Sequence, residues 1–201
     1  MLFRSGAKIA FSTNRDGLGS AYEIYVMNAD GTGATRLTNN GDIDDSAPTW
    51  SPDGTRIAFS SARSVRPGVD FNNVEIYVMN ADGSNPTRVT NSPVFDGLPA
   101  FSPDGARLAY SSHPDGVNQF EIRSIKIDGT DDRLLTRTGP NNVSNNLFAW
   151  SPDGSQIAFI ALGGDRVEVF TMNAADGSGR RQISRVAAEP IAVPYRNIAW
   201  R

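Results

Sequence analysis

Histidine and cysteine, two residue types that often catalyse reactions or bind metal ions, are scarce in this chain. His113 is its only histidine, and cysteine is absent, so histidine-rich and thiolate metal sites are excluded. A Ser-His-Asp triad would need His113 beside an activated serine. His113 stands in the turn-forming sequence Ser-His-Pro-Asp-Gly, however, and no Gly-x-Ser-x-Gly pattern occurs. We therefore expect no enzymatic activity, no metal and no cofactor.

Carboxylates recur in a second pattern, in which an aspartate directly precedes a glycine. An EF-hand calcium loop would need acidic ligands at alternating positions and a distal glutamate, and that spacing is missing. Aspartate and glycine are also the ordinary residues of tight turns, so we interpret these aspartates as turn residues. They are Asp30, Asp82, Asp128 and Asp176. We interpret a recurrent glutamate in the same structural way, at Glu23, Glu75, Glu121 and Glu168.

The regular spacing of these residues comes from a repeat that runs through the whole chain. The sequence Trp50–Gly54 returns as Phe101–Gly105 and as Trp150–Gly154, and a fourth copy begins at Trp200. A period of about 50 residues indicates a solenoid, a propeller or an array. We divide one domain, residues 1–201, into repeats at approximately 3–49, 50–100, 101–149 and 150–199.

Each repeat divides into four short strands joined by turns. In the second repeat the first strand ends at Trp50, and the others cover Arg56–Ser60, Glu75–Met79 and Thr87–Thr90. In the turn after Trp50, proline presets φ and glycine takes the left-handed conformation that closes a hairpin. Four antiparallel strands per repeat, arranged radially, form the blade of a β-propeller. We therefore predict an all-β propeller of four-stranded blades.

The two ends of the chain belong to the same predicted blade. The chain opens on a second strand at Lys8 and closes on a first strand at Trp200. Residues 194–201 would then complete the first blade and remove an open sheet edge, although Phe3–Gly6 looks like a shortened turn motif and competes for that place. A closed four-bladed ring, half of an eight-bladed homodimer and a fragment of a longer propeller all stay open.

The repeat resembles that of the TolB-like, WD-repeat-like propellers. The resemblance rests on Trp-Ser-Pro-Asp-Gly-x-x-Ile-Ala-Phe-Ser, on Glu-Ile-Tyr-Val-Met-Asn-Ala-Asp-Gly and on Thr-Arg-Leu-Thr, and it covers essentially the whole chain. It implies a bacterial protein in the periplasm, or otherwise outside the cytoplasm, that binds a protein partner. For TolB that partner is the peptidoglycan-associated lipoprotein.

Composition excludes several other partners. A net charge of −3 and a pI near 5.1 argue against nucleic acid. No apolar run is long enough for membrane insertion. Met1–Gly6 is too short and too polar to be a signal peptide.

The first candidate site lies at the mouth of the propeller channel. The loops between blades end just before the innermost strand, five residues before each aromatic residue. Carboxylate, amide and phenol groups around a channel would bind a hard cation, a cationic group or sugar hydroxyls. The alternative is that they bond strand-start backbone groups and water. The residues are Asp45, Asp96, Asn145 and Tyr195.

The second candidate site is the face of the variable loops. The Ser-Pro-Asp-Gly and Asn-Ala-Asp-Gly turns should project from one face, whereas the loops of the other face differ in every repeat, as binding loops do. The longest of these loops runs from Ala62 to Asn73. It is either a protein contact or an ordinary solvated loop. The candidate contact residues on this face are Arg63, Arg66, Phe71, Phe95 and His113.

These observations favour a non-catalytic binding or scaffold module that contacts a protein through its variable-loop face. A glycan- or cation-binding propeller that uses the channel mouth is one alternative. A self-assembling repeat fragment, natural or engineered, with no ligand is another.

Overall fold

The regular structure of the chain consists of antiparallel β-sheets. The computed structural model describes residues 7–16, 21–63, 74–113, 119–137, 144–163 and 166–185. Within these ranges every regular element is a strand, and the strands form four sheets. These same ranges contain no helix long and apolar enough to cross a membrane.

The strands of each sheet follow one another in chain order. In blades 2, 3 and 4 the first strand comes from the end of the preceding predicted repeat. The described part of blade 1 holds β1 (Lys8–Thr13), β2 (Glu23–Asn28) and β3 (Thr35–Arg36). Blade 2 holds β4 (Asp45–Trp50), β5 (Arg56–Ser61), β6 (Glu75–Asn80) and β7 (Thr87–Arg88). Blade 3 holds β8 (Phe95–Phe101), β9 (Arg107–His113), β10 (Glu121–Lys126) and β11 (Arg133–Leu134). Blade 4 holds β12 (Ser144–Trp150), β13 (Gln156–Gly163), β14 (Arg166–Asn173) and β15 (Arg181–Arg185).

The expected propeller of antiparallel blades is thus confirmed, with one difference in strand length. The fourth strand is shorter than predicted in blades 1, 2 and 3, where it covers two residues, and it covers five in blade 4. The segments expected to complete the first blade, Phe3–Gly6 and residues 194–201, lie outside the described residues.

The first turns of blades 2, 3 and 4 are held by their own side chains. Ser51 Oγ donates to Asp53 Oδ1 at 2.6 Å, and the Thr55 amide donates to the same oxygen at 3.0 Å. Gly54 follows with φ of 70°, a left-handed conformation that glycine adopts without strain. The hydrogen bonds from Ser51 and Thr55 lower the pKa of Asp53 to about 2. In the second turn Asp30 likewise accepts bonds from the amide and hydroxyl of Thr32, so these carboxylates serve the turns.

The core lies between blades and alternates small with large side chains. Alanines of the second strand contribute their methyl groups to clusters that contain an aromatic ring of the next blade. Because alanine is small, the next sheet can pack close to the strand backbone. The buried pairs that share a cluster are Ala10 with Phe59, Ala58 with Tyr110, and Ala109 with Phe159.

A buried polar network ties the end of the outer strand to the third strand. In blade 2 the fully buried Glu75 accepts hydrogen bonds from Arg88, from the Thr90 hydroxyl and, at 3.0 Å, from the Ser92 amide. The Thr90 hydroxyl accepts in turn from the Ile76 amide at 2.9 Å. We call this the Glu–Thr network.

The Glu–Thr network weakens along the chain. Blade 1 repeats it completely with Glu23, Thr38 and Arg36, and blade 3 retains the pair Glu121 and Thr136. In blade 4 the place of the threonine is taken by Ser184, which is exposed, and that of the arginine by Gln182; Glu168 is only half-buried.

Candidate functional site

The innermost strands place their predicted channel residues at equivalent positions. Asp45 pairs with Ser61, and Asp96 pairs with Ser112. Asn145 pairs with Ala161 in the same way. A β-bulge follows each of these pairs before the strand reaches its aromatic residue. The structure therefore brings three of the four predicted residues into one register, and Tyr195 lies outside the described residues.

Asp45 of the channel mouth is bonded to Arg63, which the sequence predicts on the variable-loop face. Its carboxylate is fully buried, and Oδ2 accepts hydrogen bonds from Arg63 Nη2 at 2.7 Å and from Asn40. Burial raises the pKa of Asp45, and hydrogen bonding from Ser61 and the charge of Arg63 oppose that rise. The channel-mouth residue Asp45 and the loop residue Arg63 thus form one ion pair.

Arg63 is held in place by two aromatic rings beneath its guanidinium group. Its Cζ atom lies 5.1 Å from the centre of the Phe59 ring and 4.6 Å from that of Tyr77. Because such cation–π contacts are favourable where the charge is partly desolvated, the rings orient Arg63 toward Asp45. Two other blades place an arginine over the equivalent ring pair: Arg15 over Phe11 and Tyr25, and Arg180 over Phe159 and Phe170.

Asp96 occupies the position of Asp45 without an equivalent cation. Arg63 follows Asp45 by 18 residues, and the residue 18 places after Asp96 is Pro114. Asp96 is 2% exposed, and its Oδ2 accepts a hydrogen bond from Ser92 at 2.7 Å. Burial raises the pKa of Asp96 to about 6, against the bonds from Ser112 and Ser92. Its Oδ1, like that of Asp45, has no hydrogen-bond partner among the described residues.

On the variable-loop face, the structure gathers two predicted contact residues around a third that we did not predict. Phe95 and His113 are paired across β8 and β9. Phe120 meets both, with ring centres 5.6 Å from Phe95 and 5.1 Å from His113. All three side chains are half-buried. We call these three residues the aromatic cluster; Arg66 and Phe71 lie outside the described residues.

A sequence signal for Phe120 existed. It stands directly before the recurrent glutamate of its repeat, where blade 1 has Tyr22 and blade 2 has Val74. Tyr22 is 46% exposed. An aromatic residue immediately before the buried glutamate is therefore a feature of two blades. The aromatic cluster also depends on Gly97, because a Cβ atom there would lie 2.7 Å from the Phe95 ring.

The sheets bury their faces against one another and carry repeated turns, which is the arrangement of a β-propeller. The family model described as the TolB beta propeller domain matches residues 68–190. The chain belongs to this family.

Individual relatives agree with this assignment. An uncharacterised protein of Agrobacterium fabrum is 30% identical over 146 residues, which are 69% of this chain and 47% of that protein. The Tol-Pal system protein TolB of Bordetella pertussis is 32% identical over 163 residues, 62% of this chain and 36% of the relative. The chain therefore spans less than half of the curated relatives it matches.

A solved structure shows the same fold. A TolB-type protein of Agrobacterium tumefaciens superimposes with a TM-score of 0.74 at 22% identity, covering 92% of this chain and 64% of the other. At that identity the likeness concerns the fold.

Proposed function

We propose that this chain is a non-catalytic, TolB-like propeller module outside the cytoplasm, and that it binds a protein partner through its variable-loop face. The observation that carries the proposal is the aromatic cluster. Three half-buried rings meet on the face where the repeats differ most. Partly exposed aromatic side chains supported by a rigid scaffold are the usual anchors of protein interfaces.

Tyr22 and the arginines over the aromatic pairs extend this surface chemistry. Tyr22 offers a further exposed ring on blade 1, and Arg63 is fixed by Asp45 and by the rings beneath it. Preorganised aromatic and arginine side chains lose little conformational entropy on binding. The relatives that carry the name TolB support a role in protein interaction.

A binding comparison tests the proposal with one surface changed at a time. The double variant Phe95→Ser with Phe120→Ser removes two rings of the aromatic cluster, and Lys126→Ala changes an exposed residue near the second turn of the same blade. The probe is a purified peptidoglycan-associated lipoprotein, measured by biolayer interferometry. We expect binding by the wild type and by Lys126→Ala, and a loss of at least about tenfold for the double variant.

The alternative results contradict different parts of the proposal. Equal binding by all three proteins removes the aromatic cluster as the interface. No binding by the wild type removes this partner, and a melting curve of the double variant shows whether its loss of binding reflects unfolding.

A second candidate function uses the channel mouth. It is favoured by the buried Oδ1 atoms of Asp45 and Asp96, which lack a partner among the described residues. Buried carboxylate oxygens bind a cation or a hydroxyl donor when one is available. Calorimetric titration with CaCl2 and with neutral oligosaccharides, compared between the wild type and Asp96→Asn, tests this site. If neither CaCl2 nor any of the oligosaccharides gives a heat of binding, this second candidate function is overturned.

A further inference from the structure

A cleft opens between blades 3 and 4, beside the Ser-Pro-Asp-Gly turns and away from the variable loops. Its volume is about 290 Å³. Blade 3 contributes the side chains of Asp104, Arg107 and Arg133, and blade 4 contributes those of Trp150 and Ser155. These residues belong neither to the aromatic cluster nor to the channel mouth.

The cleft is open because Arg107 is drawn away from Trp150. At the corresponding place in blade 2, Arg56 extends over Phe101 of the next blade, with 5.9 Å between its Cζ atom and the ring centre. Arg107 instead donates to Asp131, at 2.8 Å to Oδ2 and 2.7 Å to the backbone carbonyl, and to Ser124, at 2.9 Å to Oγ and 3.0 Å to the carbonyl. Phe101 is accordingly buried, whereas Trp150 remains only half-buried.

Two partners of Arg107 distinguish this blade from blade 2: Ser124, which stands where blade 2 has Val78, and Asp131. The φ of Asp131 is 53°, in the left-handed region. Its counterparts in the other blades also have left-handed φ; they are Gly33, Asn85 and Gly179. None of these counterparts carries a carboxylate. Asp131 holds Arg133 through both of its carboxylate oxygens, at 2.8 Å and 2.7 Å, in addition to Arg107. One side chain thus keeps two guanidinium groups on one wall.

Blade 4 widens the cleft from the other side. Its second turn contains one residue more than that of blade 2, since Ala174-Ala175-Asp176-Gly177 stands where blade 2 has Ala81-Asp82-Gly83. Ala174 and Ala175 both line the cleft. The added residue also gives Arg133 a fixed position, because Arg133 Nη1 donates to the Ala175 carbonyl at 2.9 Å.

The lining groups balance in charge and combine an indole with hydrogen-bonding groups. Arg107 and Arg133 line the cleft with Asp104 and Asp153, and both guanidinium groups are paired with Asp131. Neither a strongly anionic nor a strongly cationic ligand is therefore favoured. Trp150 donates its indole N–H to the Ala100 carbonyl at 3.1 Å, and its ring carbons supply the apolar surface. Asp104 accepts its turn bonds through Oδ1, and Oδ2 has no partner among the described residues.

We propose that this cleft binds a neutral oligosaccharide. A pyranose ring offers a C–H face to the indole, and its hydroxyls donate to carboxylates and accept from guanidinium groups and serine, which is the mixture present here. This function goes beyond the proposed protein interaction and lies on a different surface, so the two can fail separately.

Two matched substitutions at one turn position test the proposal. Asp131→Asn gives blade 3 the residue of blade 2 and removes the carboxylate that holds Arg133 and the Nη1 atom of Arg107 on the cleft wall. Arg107 keeps its bonds to Ser124 and to the backbone carbonyl of residue 131. Asn85→Asp is the control, because it makes the reverse change in blade 2 and leaves the cleft untouched. The probes are maltohexaose, cellohexaose, chitohexaose and hexagalacturonate, titrated to about 10 mM by calorimetry and by tryptophan fluorescence.

We expect at least one neutral hexasaccharide to bind the wild type and Asn85→Asp equally, and to bind Asp131→Asn at least about tenfold more weakly. Three results overturn the proposal. These are no binding by any neutral probe, binding of hexagalacturonate alone, and neutral binding that Asp131→Asn leaves unchanged. Circular dichroism of both variants establishes that they remain folded.

Discussion

Arg63 Nη2 lies 2.7 Å from Oδ2 of Asp45, and this contact joins the variable-loop face to the innermost strand of blade 2. Asp45 is fully buried, whereas Arg63 retains 17% of its side-chain exposure. The loop that begins after β5 is therefore anchored at its root by a buried charge. Any partner that contacts Arg63 would meet a side chain already fixed in position.

Removing the charge of Arg63 should destabilise the fold. Arg63→Met keeps an unbranched apolar side chain over Phe59 and Tyr77 but leaves the buried Asp45 without its cation. We expect the free energy of unfolding to fall by about 3 kcal/mol, measured by urea denaturation. Adding Asp45→Asn to this variant should restore most of the loss, because no buried charge then remains unpaired. A double variant as unstable as Arg63→Met contradicts this explanation.

Asp96 should make stability depend on pH between about 4 and 6. Its pKa is about 6 in the folded chain and about 3.9 when unfolded, so the folded state binds the proton more tightly. This contribution to stability is fully present below pH of about 4 and is lost as the pH rises through 6. Asp96→Asn should therefore match the wild type near pH 4 and exceed its unfolding free energy by about 3 kcal/mol at pH 8.

Asp53 supplies a control of opposite sign for that experiment. Its pKa is lowered to about 2 by hydrogen bonds from Ser51 and Thr55. Its contribution is present above its unfolded pKa of about 3.9 and is lost as the pH falls through 2. Asp53→Asn should accordingly be less stable than the wild type at pH 8. Urea midpoints measured between pH 2 and 8 check both variants, and a pH-independent difference for Asp96→Asn would refute the assignment.

Because of the Glu–Thr network, replacing Glu75 should lower the stability of the fold far more than replacing its counterpart Glu168. Glu75→Gln removes a buried acceptor from Arg88, Thr90 and the Ser92 amide. We expect it to lower the free energy of unfolding by about 3 kcal/mol. Glu168→Gln changes the same position of blade 4, where Ser184 and Gln182 replace the partners, and should cost less than about 1 kcal/mol. Equal losses in chemical denaturation would mean that the network contributes nothing specific.

Alanine substitutions at two turn glycines should distinguish the cost of backbone strain from the cost of disturbed packing between blades. Gly31 and Gly177 both have left-handed φ, at 85° and 73°. A Cβ atom at Gly31 meets nothing within 4 Å, whereas one at Gly177 would lie 1.9 Å from the Leu135 carbonyl oxygen of blade 3. We expect a loss of about 1 kcal/mol for Gly31→Ala, from strain alone. Gly177→Ala should lose at least about 3 kcal/mol because blade 4 must move as well. Thermal or urea unfolding distinguishes them, and similar losses would rule out the interblade contact as a cause.

The blades could be predicted from sequence because their signals are local. The Trp-Ser-Pro-Asp-Gly turn between two short apolar strands specifies a hairpin, and repetition places each hairpin beside the next. The short fourth strands were less predictable, since Leu37 and Thr38 look like strand residues. Thr38 leaves the strand ladder because its hydroxyl bonds the buried Glu23 and the Ile24 amide.

The site was harder to predict because its contacts join distant positions. Asp45 and Arg63 stand 18 residues apart, and they meet only because β4 contains a bulge and β5 continues into the loop. The cleft is open because Arg107 bonds Ser124 and Asp131 rather than covering Trp150. No sequence pattern within a single repeat predicts these contacts. Comparison of the repeats with one another is the sequence evidence that could have indicated these differences. Asp131 and Pro114 are unusual only when they are compared with Asn85 and Arg63, the residues at the same positions of blade 2.

The loss of the Glu–Thr network in blade 4 should make local unfolding of the molecule begin in that blade. Stacked repeats open in units whose free energies differ, and the least supported unit opens first. The amide protons of Arg181–Ser184 should exchange with solvent faster than those of Thr87–Thr90. The outer strand of blade 4 should therefore open more often than the outer strands of the other blades. Blades that have the same fold then differ in local stability.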